Sequence, residues 1–486
     1  MTAPSTNRPS PLDKAIDPDL DADVGPDESA SRTGRNLLTL RPVRALLRSR
    51  WYPGVFQVPV AAVFGLVAYQ LLAGPGTAHR NSGTALMWVL WWPVLPLLFV
   101  LAGRFWCAVC PFGVISDLVQ KVVGANRPVP RWLKTYGIWI IDAQFLAITW
   151  SDHVWGIVES PWGSGILLLL LTTGVIASGA FFQRRTFCRC VCFLGGLCAN
   201  YGRTGMVGLS ADTAVCATCT ARAACYNGTT DADGRTLTAA CPLFTFPRTM
   251  DSTANCNLCA NCIKSCPNDA IQITVRTPTS ELWSVRTPVV AESFLAMAIM
   301  GIVLIQNLTM LGIWNDALAW ISDTTGVTDP ALVFTMAFAV AVAAPVGLLA
   351  LASRVAAARN LEDTWTNFAR FGYALIPLDV AAHLAHNLFH LLAEGGSVFT
   401  TVAELFGAHP AEGSAALVGT GTIQVLQYAL LALGVALSLY TARRLAHRRY
   451  RTAVRRRSTL LPYVAVIALL AAVNGYLFAL PMAHRM

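Results

Sequence analysis

The most regular feature of the chain is a series of long apolar runs separated by shorter polar connections. Nine runs approach or exceed the roughly 20 residues that an α-helix needs to cross a bilayer. They occupy residues 52–73, 84–103, 135–150, 163–182, 289–314, 330–353, 370–393, 420–441 and 459–480. The third run is short and contains Asp142, so it fits the pattern least well. The pattern predicts an all-α polytopic membrane protein with about nine transmembrane helices.

The connections between these runs differ in their lysine and arginine content. Cationic clusters precede run one and follow runs two, four and eight, whereas residues 151–162, 315–329 and 394–419 contain no lysine or arginine. Because cytoplasmic connections are enriched in these residues, the alternation predicts an orientation. It places the N terminus and residues 183–288 in the cytoplasm and the C terminus outside the cell membrane.

Composition supports a membrane protein before any single run is considered. Of the 486 residues, 55% are hydrophobic and only 13% are charged, whereas soluble domains carry about 25% charged residues. The net charge of +9 is concentrated beside the apolar runs, which is typical of a topology signal. We therefore expect a lipid environment and no nucleic-acid partner.

Composition also divides the chain into segments. Residues 1–34 are rich in Pro, Asp, Ser and Thr and have no apolar periodicity, which is typical of a disordered tail. We predict a disordered, basic cytoplasmic tail over 1–50, a four-helix membrane repeat over 51–200, an inserted two-cluster ferredoxin-like α+β domain over 201–288, and a five-helix membrane domain over 289–486.

The chain has 14 cysteines, all between Cys107 and Cys266. A disulfide scaffold suits small secreted proteins and does not suit this chain, so metal ligation in a reducing compartment fits better. The spacing Cys256-x2-Cys259-x2-Cys262-x3-Cys266-Pro267 is that of a bacterial ferredoxin half, which holds [4Fe–4S] clusters. A zinc ribbon is the alternative, because Cys-x2-Cys pairs also bind tetrahedral zinc.

Four further cysteines, Cys216, Cys219, Cys225 and Cys241, precede this motif in the same segment. The insert 226–240 separates the last two of them. In two-cluster ferredoxins the fourth cysteine of one motif serves the other cluster. That rule predicts two [4Fe–4S] clusters. The first cysteine set is Cys216, Cys219, Cys225 and Cys266, and the second cysteine set is Cys256, Cys259, Cys262 and Cys241.

An internal repeat places more cysteines beside runs two and four. Residues 105–113 align with 187–195, which superposes Cys110 on Cys192 and Gly113 on Gly195. Six cysteines lie near these positions: Cys107, Cys110, Cys188, Cys190, Cys192 and Cys198. We predict a further metal site in what we call the membrane-edge set, Cys107, Cys110, Cys188 and Cys192. Simple packing or a disulfide is the alternative.

These motifs together resemble the membrane polyferredoxins related to the quinol-dehydrogenase subunit of periplasmic nitrate reduction and the membrane regulator of nitrous-oxide reduction. Those proteins repeat a Cys-x3-Cys-Pro motif after paired spans and then carry a two-cluster ferredoxin domain. Here Cys188-x3-Cys192 lacks the proline, and the first copy has Trp106 in place of the earlier cysteine. The resemblance covers roughly 50–275 and implies electron transfer at a membrane, with quinol.

Run seven carries an acid and three histidines in an apolar context: Asp379, His383, His386 and His390. Helical periodicity places all four on one face, and ionisable groups inside a membrane indicate function. We rank quinone binding with proton exchange first, a metal site second and a haem third. A polar seam between helices remains the structural alternative.

Two classes of function follow from these patterns. The first is a quinol-linked electron-transfer protein that passes electrons between the quinone pool and a redox protein partner. The second is a non-catalytic redox sensor or a metal-centre assembly protein. A transporter with a regulatory ferredoxin domain is a third class, although the sequence shows no substrate pathway.

Overall fold

The computed structural model describes residues 34–250, 252–408 and 415–480. Most of the predicted disordered tail lies outside the described residues. The helices, in chain order, are α1 Arg41–Arg48, α2 Gly54–Ala73, α3 Ser82–Thr84, α4 Trp92–Ala102, α5 Trp106–Val109, α6 Pro111–Val123, α7 Arg131–Trp155, α8 Pro161–Phe181, α9 Thr186–Cys190, α10 Phe193–Gly202, α11 Thr213–Thr218, α12 Arg222–Asn227, α13 Asn261–Ser265, α14 Val290–Thr309, α15 Trp314–Thr325, α16 Pro330–Asn360, α17 Thr364–Glu394, α18 Gly396–Leu405, α19 Thr420–Arg449 and α20 Ala453–Ala479. A π-helix, Ala85–Trp91, joins α3 to α4.

Seven helical segments of the described chain are long and apolar enough to cross a membrane, which is consistent with a multi-pass membrane protein. They are Gly54–Ala73, Ser82–Val123, Pro161–Phe181, Val290–Thr309, Pro330–Asn360, Thr420–Arg449 and Ala453–Ala479. Runs three and seven form α7 and α17, which have 25 and 31 residues but are less apolar. A count of nine spans therefore stays a prediction.

Local sequence signals start several of the long helices. Asp329 caps α16 by accepting a hydrogen bond from the Leu332 N–H, and Pro330 occupies the first turn. Ser160 caps α8 in the same way through the Gly163 N–H, with proline again in the first turn. These residues satisfy N–H groups that have no partner inside the helix.

Helix α17 is the central helix of the C-terminal bundle. It packs against α4, α14, α16, α19 and α20, and its side chains from Phe371 to Ala382 are buried. Two glycines permit the close approach of its neighbours. A Cβ on Gly372 would lie 2.3 Å from Ser293 Cβ, and one on Gly434 of α19 would lie 2.4 Å from Ala381 Cβ. The middle of α17 is therefore enclosed by protein.

The cysteine-rich segment folds around a small antiparallel sheet. Its strands are β1 Arg35–Asn36, β2 Val207–Ala211 and β5 Ile271–Val275, with β5 in the centre. The predicted insert 226–240 forms a hairpin from β3 Thr229–Thr230 and β4 Thr236–Thr238. Leu209 and Ile273 on the sheet pack with Ile263 of α13 in a separate apolar core, so this segment has a core of its own.

Residues 34–50 correct the predicted boundary of the N-terminal tail. Instead of belonging to a disordered tail, they form β1 and α1, and β1 extends the sheet by pairing with β5. Arg44 and Arg48 of α1 both bind Asp269, next to the fourth cysteine of the ferredoxin motif. The arginines that serve as a topology signal thus also dock this segment on the cysteine-rich domain.

Candidate functional site

The first cysteine set lines one small cavity at the surface of the cysteine-rich domain. Cys216, Cys219, Cys225 and Cys266 all face it, together with Pro267. Two polar hydrogens already point at the sulfurs: Asn268 Nδ2 lies 3.3 Å from Cys219 Sγ, and the Ala270 N–H lies 3.4 Å from Cys266 Sγ. Thiols surrounding one space, with N–H groups aimed at sulfur, fit the ligand shell of an iron–sulfur cluster.

The second cysteine set is formed by Cys256 and Cys259 in the loop before α13, by Cys262 in α13 itself and by Cys241. Leu258 and Ala260 have φ of 55° and 61°, and this left-handed backbone turns successive N–H groups toward one point. The N–H groups of Leu258 and Asn261 accordingly face the thiols of Cys256 and Cys259. Such a loop favours negative charge on its sulfurs.

Electrostatic interactions show which thiols neighbour one another. Cys225 interacts with Cys266, Cys216 and Cys219 and then with Cys241, whereas Cys262 interacts with Cys256 and Cys259 and then with Cys225 and Cys241. Most of these interactions fall within the crossed sets, and the assignment of ligands to the two sets stays a prediction. Cys225 and Cys262 lie where the sets adjoin.

Burial, followed by the neighbouring thiols, raises the pKa of Cys225 to about 11. Burial also raises the pKa of Cys259 to about 11, although the Asn261 N–H opposes it. These sulfurs are therefore protonated in the metal-free chain, and metal binding must release protons. Among the described residues no three His, Cys, Asp or Glu side chains form a site for a single metal ion.

The membrane-edge set brings the two repeats together. Cys110 interacts with Cys107 and Cys188, and Cys192 interacts with Cys188, Cys110 and Cys107. Cys198 joins this group, because its Sγ lies 3.7 Å from Cys107 Sγ. Cys190 does not, since it packs with Val129 and Leu133 in a separate cluster.

Two buried arginines that the sequence analysis did not assign to a site surround the membrane-edge set. Arg104 donates to Cys107 Sγ at 3.4 Å and to the carbonyl of Cys188. Arg185 donates to the carbonyl of Cys107 at 2.8 Å and forms a bidentate pair with Asp117. Both side chains are 4% exposed. In the sequence, each of these arginines is marked only by its position just after an apolar run.

The same arginines connect the membrane-edge set to the second cysteine set. Arg104 Nη1 donates to the carbonyl of Ala254 at 2.7 Å and to Asn255 Oδ1 at 3.3 Å, immediately before Cys256. Arg185 interacts electrostatically with both Cys188 and Cys259. The three groups of thiols therefore form a series from the surface of the domain to the membrane bundle.

A cavity of about 1600 Å³ begins where this series ends. Cys110 and Phe112 lie at one end of it, and Trp92 and Phe193 contribute aromatic walls. The opposite end is lined by residues from the connections after α2, α7 and α14 and by the C-terminal part of α17. The cavity thus runs along the bundle from the membrane-edge thiols toward the connections that are poor in cations.

The histidine face of α17 divides between this cavity and the protein interior. His386 and His390 line the cavity, as does Glu394, whose Oε1 lies 3.3 Å from His390 Nδ1. His386 Nδ1 lies 2.9 Å from Asn307 Oδ1 of α14. The helical periodicity had placed the three histidines together, but only these two face the space that can hold a ligand.

His383 and Asp379 lie deeper and meet a residue that the sequence analysis did not identify. The Tyr201 hydroxyl of α10 lies 2.9 Å from His383 Nδ1 and interacts with the Asp379 carboxyl group. Asp379 is fully buried, and neither of its oxygens has a well-formed hydrogen bond in the described structure. The His383 ring also lies 6.2 Å from that of Trp92, which lines the cavity. The pattern of α17 gave no indication of Tyr201.

A second polar network crosses the bundle near the cysteine-rich domain. Arg203 binds Glu292 through two hydrogen bonds of 2.7 and 2.9 Å, and the Tyr373 hydroxyl donates to the same carboxylate. Asp142 of α7 interacts with Glu292 and is itself buried. Asp142 of α7 and Tyr373 of α17 are thus both neighbours of the same buried carboxylate.

One family model matches the chain. It is described as a 4Fe-4S binding domain and matches residues 84–130. This segment contains Cys107 and Cys110 of the membrane-edge set and none of the cysteines of the other two sets. No curated protein and no solved structure matches the chain. The match supports an iron–sulfur protein.

Proposed function

We propose that this membrane protein exchanges electrons between a quinone bound in the large cavity and a redox protein, through two [4Fe–4S] clusters held by the first and second cysteine sets. The observation that carries the proposal is the cavity itself. One continuous space contacts Cys110 at one end and His386 and His390 at the other. A thiol of the membrane-edge set, which Arg104 and Arg185 connect to the second cysteine set, and imidazoles that can transfer protons therefore border the same space.

The cavity has the size and the walls that a quinone requires. Small-molecule sites have volumes of about 300–1,000 Å³ and mostly apolar linings with a few polar groups. This cavity exceeds that range, so it has room for a ring and part of an isoprenoid tail. Its tryptophans and phenylalanines suit a flat ring, and its histidines suit the ring oxygens.

The bound quinol would supply two electrons and two protons as it becomes quinone. Clusters held by the two cysteine sets would each accept one electron, and the imidazoles of His386 and His390 would accept the two protons. Glu394, whose carboxylate lies beside His390, accepts the proton from His390 in the next step. In the opposite direction every transfer reverses.

Asp379 and His383 lie behind the residues that line the cavity, and we assign them a supporting role in proton transfer. Tyr201 connects them, because its hydroxyl reaches His383 Nδ1 and adjoins the Asp379 carboxyl group. A carboxyl group buried among apolar helices is costly, and inside a membrane such a group indicates a function. We assign this group to proton storage during quinone chemistry.

The test uses the full-length protein, purified anaerobically and placed in lipid nanodiscs. Cluster absorbance is followed after mixing with a short-chain quinol, and separately after mixing the dithionite-reduced protein with the matching quinone. We expect rapid change in at least one direction, and a loss of about 100-fold in rate when His386 and His390 are both replaced by alanine.

The matched control is His447→Ala, because His447 is exposed near the end of α19 and lies outside the cavity. This variant should react at the wild-type rate, and dithionite should reduce the double variant normally. Clusters that exchange electrons with neither quinol nor quinone would contradict the proposal. They would favour the redox sensor or assembly protein instead.

A further inference from the structure

The membrane-edge set has the composition of a ligand shell, and each repeat supplies half of it. Cys107 and Cys110 follow α4, and Cys188 and Cys192 follow α8. Interactions connect all four thiols across the two repeats. We infer that the two repeats share a third [4Fe–4S] cluster, ligated by these four cysteines.

The repeat-related pair Cys110 and Cys192 occupies equivalent backbone positions. Cys110 immediately precedes α6, Cys192 immediately precedes α10, and each has an extended backbone conformation. The N–H groups of Phe112 and Gly113 face the first sulfur, and that of Gly195 faces the second. The two helix N termini therefore direct N–H groups at the shared centre.

Charge provides an independent observation. Arg104 is 4% exposed, and its hydrogen bonds go to Cys107 Sγ, to the carbonyls of Ala254 and Cys188 and to Asn255 Oδ1. In the described part of the chain no carboxylate forms an ion pair with it. A buried charge of this kind is strongly unfavourable unless an opposite charge is bound nearby.

A [4Fe–4S] cluster supplies that opposite charge. Four thiolates around a doubly positive core leave a net charge of about −2. Arg104 offsets part of it directly, and Arg185, which is paired with Asp117, also borders the set through its hydrogen bond to the Cys107 carbonyl. The site thus contains both the four thiol ligands and the positive charges that would offset the negative charge of a cluster.

The position of the third cluster deepens the proposed function, on which this point rests. The membrane-edge set lies between the second cysteine set, to which Arg104 and Arg185 connect it, and the cavity that begins at Cys110. A cluster held by these cysteines would accept one electron at a time from a quinol in the cavity and pass it to the ferredoxin-like domain. With only the two clusters of the ferredoxin-like domain, no electron carrier would lie between the cavity and the second cysteine set.

The experiment counts iron and acid-labile sulfide in anaerobically purified full-length protein and integrates the spectrum of paramagnetic centres after dithionite reduction. We expect about 12 iron atoms per chain and three reducible centres, at four iron atoms per cluster. Cys110→Ala and Cys192→Ala should each lower the iron count by about a third and remove the same centre. This count does not depend on quinol, so its failure is distinguishable from failure of the proposed function.

Two controls separate the shared cluster from other arrangements. Cys190→Ala should retain all the iron, because Cys190 packs apart from the set. Cys198→Ala tests the ligand set itself, because Cys198 Sγ lies 3.7 Å from Cys107 Sγ, and loss of the third centre in this variant would overturn the proposed set. About eight iron atoms in the wild-type protein, a single copper or zinc ion in the set, or a Cys107–Cys198 disulfide would each overturn the inference.

Discussion

Arg185 of the second repeat donates a hydrogen bond to the backbone carbonyl of Cys107 in the first repeat, at 2.8 Å. Arg104 of the first repeat makes the reciprocal contact, because its guanidinium donates to the carbonyl of Cys188 in the second at 3.3 Å. The repeat-equivalent glycines Gly113 and Gly195 leave space for these contacts. The two hairpins therefore hold each other in place around the thiols by exchanged arginines.

Gly113 and Gly195, which lie beside the reciprocal arginine contacts, should not tolerate replacement by alanine. A Cβ on Gly195 would lie 2.6 Å from the Cys188 carbonyl oxygen, and one on Gly113 would lie 2.7 Å from Arg185 Nη1. We expect each alanine variant to lower the free energy of unfolding by about 1–3 kcal/mol, with the larger loss for Gly195→Ala because backbone cannot move aside. Thermal unfolding in detergent measures both, and Gly347→Ala, whose Cβ would meet nothing within 4 Å, should not be destabilised.

Single cysteine variants should reveal the crossed ligand sets. Cys241→Ala and Cys256→Ala should abolish the same paramagnetic centre. Cys216→Ala and Cys266→Ala should abolish the other centre of the ferredoxin-like domain. The reason is that each fourth cysteine lies with the opposite motif. Paramagnetic spectra of the four reduced variants provide the measurement. Loss of one centre by both Cys256→Ala and Cys266→Ala would exclude the crossed arrangement, and bound zinc without acid-labile sulfide would exclude both clusters.

Tyr201→Phe should slow quinol-driven cluster reduction by about 10-fold or more, because it removes the hydroxyl that connects His383 with Asp379. Asp379→Asn and His383→Ala should have the same effect, while dithionite reduces all three variants at the wild-type rate. Tyr463→Phe is the matched control, since Tyr463 is equally buried but its hydroxyl contacts Ser353. If the polar residues are only a seam between helices, stability will fall and both reductants will be affected equally.

Reporter fusions can decide whether α7 and α17 cross the membrane. Nine spans place the N terminus and the hairpin turn at Gly234 in the cytoplasm and the C terminus outside. If α17 does not cross, Gly234 and the C terminus share a compartment, because four of the seven apolar candidates follow the hairpin. If α7 does not cross, the N terminus and Gly234 lie on opposite sides. Paired phosphatase and fluorescent-protein fusions at the three positions distinguish these outcomes.

Glu362, in the connection between α16 and α17, should contribute stability that disappears in acid. Burial acts to raise the pKa of this carboxyl group, but Arg370 and Arg449 outweigh burial and hold the pKa below its usual value of 4.5. A lowered pKa stabilises the folded state above the unfolded value, and this contribution is lost as the pH falls through the folded value. Glu362→Gln should therefore cost about 3–5 kcal/mol near neutrality and progressively less below about pH 4.5.

Helix content during denaturation, compared between variant and wild type at each pH, measures this contribution. Glu404→Gln is the control, because Glu404 is exposed on α18, and it should be neutral. A Glu362→Gln deficit that stays constant from neutral to acidic pH would show that the interaction does not depend on the carboxylate charge.

The sequence by itself determined the features that depend on local pattern. Apolar length predicted the long helices, and ligand spacing predicted that Cys256, Cys259 and Cys262 form one group, because neighbouring residues meet whatever the rest of the chain does. The repeat likewise predicted that Cys110 and Cys192 are equivalent. The tail was misjudged at residues 34–50, because a two-residue edge strand is defined only by the β5 strand with which it pairs.

The tertiary structure alone decided which distant groups meet. Tyr201 reaches His383 across 182 residues of sequence, and Arg185 reaches Cys107 across 78. Helical periodicity places His383 and His386 on one face, but only the packing of α17 against α4, α10 and α14 decides that His386 faces the cavity and His383 faces Tyr201. Contacts of this kind arise from how whole helices pack, and no short window of sequence contains that information.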